Sequence, residues 1–203
     1  MSIATTAVRI KATLSDVEPE VMRRLVVPVG LRLDRLHLVL QAAFGWTNTH
    51  LYEFRAGGLG WGVPDPGGMH DGPIDARKAR LYDIVRETGA KTIHYIYDFG
   101  DNWDHTLKLE KWFPDDPMIG LPYLLEAKGR CPPEDVGGAP GYEDYLAAIK
   151  SPNHPEHANM IAWGPEAFDP RVTNERELTR AVEKLAERWE RKPRRKKASQ
   201  PQI

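Results

Sequence analysis

Lys91-Thr92-Ile93-His94-Tyr95-Ile96-Tyr97-Asp98-Phe99-Gly100-Asp101-Asn102-Trp103-Asp104-His105-Thr106-Leu107-Lys108-Leu109 is the stretch that decides how this chain folds. Side chains on a strand point alternately to its two faces. Ile93, Tyr95 and Tyr97 therefore share one face of a strand over Lys91 to Asp98. Trp103, His105, Leu107 and Leu109 share one face of a second strand over Trp103 to Trp112. Between them, Phe99-Gly100-Asp101-Asn102 contains the Gly and Asn that tolerate positive φ, so the spacing predicts a hairpin.

Working outward, Val8, Ile10, Ala12 and Leu14 alternate with Arg9, Lys11 and Thr13, which predicts a half-buried strand. A turn over Asp16 to Glu20 leads to a second strand over Met22 to Val29, paired antiparallel to the first. Asp34 is a candidate helix cap. Leu36, Val39, Leu40, Ala43 and Phe44 follow at helical spacing, and Gly45 ends that helix. His50 to Arg55 reads as a strand. Residues 56–73, rich in Gly and Pro, read as a flexible excursion with a short strand near Trp61. Leu81 to Val85 is a short helix.

Pro114 to Pro133 reads as loop, and Cys131 to Gly138 is broken by prolines and glycines at both ends. Helices follow over Tyr142 to Ile149, Pro155 to Trp163 and beyond Asn174. There Glu177 completes a capping box, and Leu178, Ala181, Val182, Leu185 and Trp189 form a stripe. Strands thus gather before residue 113 and helices after it. The expected class is α+β: an antiparallel sheet of about five strands, helices packed on one face, and a helical C-terminal part. One domain is expected over residues 1–190, with a basic disordered tail over 191–203.

The formal net charge of −1 hides an asymmetry. From Arg188 to Lys197, seven basic residues and one acidic residue leave a local +6, so the remainder carries −7. An acidic body is a poor partner for a phosphate backbone, which confines any nucleic-acid contact to the tail. One cysteine, Cys131, excludes an internal disulfide and a thiol-pair zinc knuckle. It fits a reducing cytoplasm. No secretory leader and no membrane-spanning run are read.

Several of these segments together resemble the Ri-plasmid "open reading frame three"-like family, also labelled insertion-element passenger TnpR-like. The matching pieces are Leu36 to Trp46 ending Ala43-Phe44-Gly45-Trp46, then His50-Leu51-Tyr52-Glu53-Phe54. Tyr97 to His105 follows with Leu109-Glu110 behind it, then Arg130 to Gly138, Gly141-Tyr142 and Phe168-Asp169-Pro170. The resemblance covers roughly residues 8–170 in the expected order. It implies a compact α+β domain of mobile-element or accessory-genome origin, with no established activity. No serine- or tyrosine-recombinase motif is present. Val136 stands where many members carry a second cysteine, so this chain lacks that thiol pair.

Two groups of residues carry candidate chemistry. Asp98, Asp101, Asp104 and His105 place carboxylates and an imidazole at the hairpin turn, ligands that suit magnesium, manganese or calcium. Asp104 and His105 are adjacent and must face opposite ways. Trp103, with Tyr95 and Tyr97, is core packing or the floor of a pocket. Arg130, Cys131, Glu134 and Asp135 sit on a proline-braced loop that can hold groups rigidly. Cys131 acts as a nucleophile only with a lowered thiol pKa; otherwise it is a half-buried cysteine, beside an Arg130 pair to Glu134 or Asp135. Asp169 is a turn residue that could reach the hairpin. His154 and His157 make at most an incomplete metal pair.

The leading expectation is a non-catalytic binding module for a protein or nucleic acid. It would use Asp98, Asp101, Trp103, His105, Arg130, Cys131, Glu134, Asp135 and Asp169. The alternative is a metal-assisted hydrolase or nuclease with a divalent metal on Asp98, Asp101, His105 and Glu134, aided by Asp135 or Asp169. A weaker one is nucleic-acid binding through the tail.

Overall fold

The computed structural model describes residues 6–65, 67, 72–114 and 120–190. The basic segment after residue 190 lies outside the described residues. The hairpin forms as its alternation predicts: β6 (Thr92–Tyr97) pairs antiparallel with β7 (Trp103–Phe113), with Tyr97 opposite Trp103 and Tyr95 opposite His105. Ile93, Tyr95, Tyr97, His105 and Leu107 have no accessible surface, and Trp103 retains 2 %. The reversal spans five residues rather than four. Its positive φ angles fall on Asp98 and Asn102, both at 55°, and not on Gly100.

β1 (Ala7–Leu14) lies between β7 and β2 (Met22–Pro28), antiparallel to both. β3 (Tyr52–Ala56) joins the other side of β6, and β4 (Leu59–Gly62) folds back on it through Gly57-Gly58, with φ of 55° and 80°. β5 (Ile74–Asp75) pairs parallel to β4, the one parallel pairing among the described residues. β8 (Tyr123–Lys128) closes the far edge against β2. The order is β5-β4-β3-β6-β7-β1-β2-β8. The α+β class and the mostly antiparallel sheet are as expected, but among the described residues the sheet has eight strands rather than about five. The short strand expected near Trp61 is β4, and the additions are the two-residue β5 and β8 inside what reads as loop.

Val8, Ile10, Ala12 and Leu14 are buried, while Arg9 and Lys11 between them place charge on the other face of the sheet. There Glu110 pairs with Arg9 at 2.8 Å and Arg24 at 3.0 Å, and Glu20 pairs with Lys128 at 2.6 Å. Such pairs add little stability each, but they keep that face in water.

α1 (Leu33–Phe44) covers the apolar face with Leu36, Val39, Leu40 and Ala43, all fully buried. Burying each of these Leu and Val side chains stabilises the fold by roughly 1.5–3 kcal/mol. Asp34 is not its cap. Arg32 occupies that position, and Asp34 lies in the first turn, paired to Arg32 at 2.7 Å. Gly45 ends the helix in the left-handed conformation, as predicted. α2 (Leu81–Thr88) runs longer than Leu81 to Val85. α3 (Gly138–Lys150) starts before Tyr142, because Pro140 is compatible with a first helical turn.

α4 (His157–Trp163) is short. α5 (Glu175–Glu190) packs on α1 and β8 through Leu178, Val182 and Ala186. Its start is made by the Asn174 carbonyl, which accepts from the Glu177 and Leu178 amides, and among the described residues no side-chain bond from Asn174 completes a capping box. No described helix is long and apolar enough to cross a membrane.

Candidate functional site

Three segments far apart in sequence meet at one end of the sheet. The first is the run after α1, Trp46 to His50. Trp46 is turned inward by Gly45, stacks on Tyr97 with ring centroids 5.0 Å apart, and donates Nε1–H to the Pro132 carbonyl at 3.2 Å. The second is the hairpin turn, where the Asp98 amide donates to the Leu51 carbonyl at 2.9 Å. The third is the Pro132–Gly138 loop. Its Gly137 amide donates to Asp101 Oδ2 at 3.2 Å. Gly138, at φ 69°, lies so close that a Cβ there would stand 2.5 Å from the Asp101 carbonyl oxygen.

Glu134 fastens the junction. It accepts the Tyr97 hydroxyl at 2.6 Å, the Thr47 amide at 3.2 Å and the Thr47 hydroxyl. Burial, then this carboxylate, push Tyr97 up to about 12, so the phenol keeps its proton and remains the donor.

Beneath the junction lies a polar chain inside the core. Gln41 Nε2 donates to Tyr95 Oη at 3.0 Å, Tyr95 donates to His37 Nδ1 at 2.7 Å, and His37 Nε2 donates to Asn48 Oδ1. Each member is satisfied in a low-dielectric interior, which favours a unique arrangement. Desolvation holds His37 down at about 4, hence neutral.

His105 is likewise held at about 4 by burial. Its Nδ1–H reaches the Tyr95 and Trp103 carbonyls at 3.0 and 3.2 Å, while Nε2 is enclosed and without a partner. Asp104, on the opposite face, pairs with His94 at 3.1 Å.

The candidate residues therefore separate. Trp103 and His105 are core, and neither reaches a carboxylate. Asp101 and Glu134 are engaged in closing the junction. The set Asp98, Asp101, His105 and Glu134 thus does not converge on one point. Asp169 accepts from the Arg171 amide within its own turn. His157 donates to the Ala148 carbonyl and His154 accepts from the Glu156 amide, so each is spent locally. Arg130 forms no ion pair with Glu134 or Asp135; its guanidinium lies over Phe168, 4.6 Å from the ring centroid. Cys131 is half-buried, and burial pushes its thiol up, away from the thiolate a nucleophile requires.

Asp98 and Asp135 do converge, on a residue that the sequence does not mark. His50 Nδ1 stands 3.5 Å from Asp98 Oδ2, and its Nε2 stands 3.2 Å from Asp135 Oδ1. Neither contact has hydrogen-bond alignment, and Nε2 is enclosed without a partner. One ligand atom from each residue falls within 4.8 Å of the others. Both aspartates hold positive φ, 55° and 60°, which aims them out of turns where most residues would not fit. Asp135 is exposed and Asp98 nearly buried. Leu51 and Phe99, 56 % and 52 % exposed, flank the group along the chain.

The chain is 52% identical over 195 residues to the uncharacterized protein y4hQ of Sinorhizobium fredii, an alignment spanning 96% of this chain and all of that protein. Its fold superposes with a TM-score of 0.76 on the crystal structure of MM3350 from Methanosarcina mazei, a protein of unknown function. That match is 30% identical and covers 85% of this chain and 97% of the other. Residues 6–177 match the family described as plasmid pRiA4b ORF-3-like protein, and the chain belongs to that family.

Proposed function

We propose that this domain is a binding module whose ligand-holding element is the junction of the hairpin turn with the proline-braced loop, and that the junction takes a divalent cation. The observation that carries the reading is the convergence of His50, Asp98 and Asp135 from three separate segments, with neither ring nitrogen spent in a hydrogen bond. One imidazole and two carboxylates suit manganese, iron or zinc better than calcium, which takes oxygen ligands alone. Coordination at roughly 2.0–2.2 Å needs the three ligand atoms drawn closer together. The exposed Asp135 side chain is free to swing inward. Glu134, Tyr97 and Thr47 act around it as the rigid frame.

A metal-assisted hydrolase is the second reading. Three protein ligands leave coordination positions for water, and the exposed carboxylate of Asp135 opens the site on one side.

The test is titration of chelator-stripped protein with Mn2+ and Zn2+ by calorimetry, alongside Asp135→Asn and His50→Ala. Wild type should bind one ion with Kd below ~100 μM. Each variant should lose at least about tenfold while keeping its melting temperature within a few degrees. Absence of saturable binding up to ~1 mM would remove the cation from the reading. Hydrolysis of a generic phosphodiester that depends on the added ion and is lost in Asp135→Asn would favour the second reading.

A further inference from the structure

A second site lies on the other side of Trp46 and Glu134. A cavity of about 460 Å³ opens between the end of α1, the Arg130–Glu134 segment, the Pro165–Phe168 turn and the start of α5. Two arginines line it, Arg23 and Arg130, and neither has a carboxylate partner among the described residues. Other arginines without an ion pair, such as Arg35 over Trp189 and Arg80 on the Gly30 carbonyl, lie outside the cavity, whereas Arg23 and Arg130 line it.

Arg23 occupies a core position. It pairs with Ala12 on β1, in line with Leu25 and Val27, and retains 1 % of its surface. Its Nε donates to the Ala43 carbonyl at 2.6 Å, and Nη1 donates to the Met22 and Lys128 carbonyls at 2.8 and 2.7 Å. Those bonds use three of the five guanidinium protons. The two on Nη2 find no acceptor among the described residues, yet Nη2 is not sealed away as an orphaned buried atom. Burial pulls the Arg23 guanidinium below its usual range and outweighs the support that Glu175 gives its charge, and a charge taken out of water is costly unless something in the cavity answers it.

The other walls point to the same kind of ligand. Arg130 is fixed over Phe168, with Nη1 directed to the Ala167 carbonyl at 3.5 Å. Thr173 and Asn174 bring the N-terminus of the sixteen-residue α5 to the cavity, and its first-turn amides favour negative charge. Of the carboxylates on the wall, Glu134 is bound to Thr47 and Tyr97, which leaves Glu177 as the remaining like charge.

We infer that this cavity is a binding site for a small anion, a carboxylate- or phosphate-bearing molecule whose acidic group is held by Arg23 Nη2 and Arg130. Trp46, which lines the cavity, supplies the optical signal. The full chain is titrated with malonate and, separately, with inorganic phosphate in low-chloride buffer, following tryptophan fluorescence and, for phosphate, the phosphorus NMR line width. At least one probe should saturate with Kd below ~1 mM, and which one does identifies the acidic group.

Arg130→Met should weaken binding about tenfold or more while lowering the melting temperature by no more than a few degrees, since the side chain holds no ion pair and gives up only its contact over Phe168. Glu177→Gln should strengthen binding about two- to fivefold by removing the like charge. Failure of both probes to saturate, or equal affinity in wild type and Arg130→Met, overturns the inference.

Discussion

Acidification should loosen this protein well before its carboxylates titrate, because two histidines are folded into it without their protons. His37 and His105 are held at about 4 against 6.5 in a solvated chain, in both cases because burial disfavours the imidazolium. Between those values the unfolded chain binds protons that the native one refuses. Stability is therefore full above pH 6.5 and falls as the pH drops toward 4. Linkage gives a loss of about 2 kcal/mol per ring between pH 7 and pH 5, about 4 kcal/mol together, a large part of the 5–15 kcal/mol typical of a domain.

Glu20 and Glu110 are held below 4.5 by Lys128 and Arg24. They begin to withdraw stability only beneath that value, so measurements at pH 5 and above isolate the histidines. Urea unfolding followed by tryptophan fluorescence at pH 7, 6 and 5 gives the slope directly. His105→Asn keeps a donor where Nδ1–H meets the Tyr95 and Trp103 carbonyls but cannot titrate. It should be less stable at pH 7 from lost ring packing, yet its loss between pH 7 and 5 should be about 2 kcal/mol smaller than wild type's. An unchanged difference in His105→Asn, or a wild-type loss under ~1 kcal/mol, would refute the assignment of neutral buried rings.

Further outcomes follow from the junction. Gly138→Ala places a Cβ at positive φ against the Asp101 carbonyl and should cost at least ~2 kcal/mol in urea unfolding, whereas a neutral result would mean the loop is not seated on the turn. Tyr97→Phe leaves Glu134 without its phenolic donor and should cost about 1–3 kcal/mol, with the cation affinity lowered as the loop loosens. Cys131, its thiol pushed up by burial, should react with a disulfide reagent at pH 8 only slowly in the native protein and at once in urea; rapid native reaction would contradict its placement.

The hairpin and the α1 stripe were legible because one face of each is buried and the other wet, which leaves a period in the sequence. β8 was not, since Tyr123-Leu124-Leu125-Glu126-Ala127-Lys128 has no alternation and lies at an edge with only Leu124 fully inward. The Gly57-Gly58 reversal was hidden by the other glycines and prolines around it. His50 carries no signal of its own. It precedes β3, and only the pairing of β3 with β6 brings it to Asp98. Arg23 is hidden for a related reason. β2 is apolar on both sides, so the sequence does not say which face Arg23 joins, and the register with β1 does. The turn and the proline-braced loop were recognisable as chemistry-bearing, but which of their side chains meet was set by backbone contacts such as Gly137 to Asp101.

The placement of β1 bears on how the molecule is made. Its local neighbour β2 is available early, but its other edge waits for β7, which emerges from the ribosome only after two helices and four further strands. A nascent chain therefore carries half-paired hydrophobic strands through much of its synthesis, a state that favours slow closure and chaperone contact. Since the Asp135 segment is translated later still, a prematurely terminated product would contain the sheet's centre and yet lack the junction altogether.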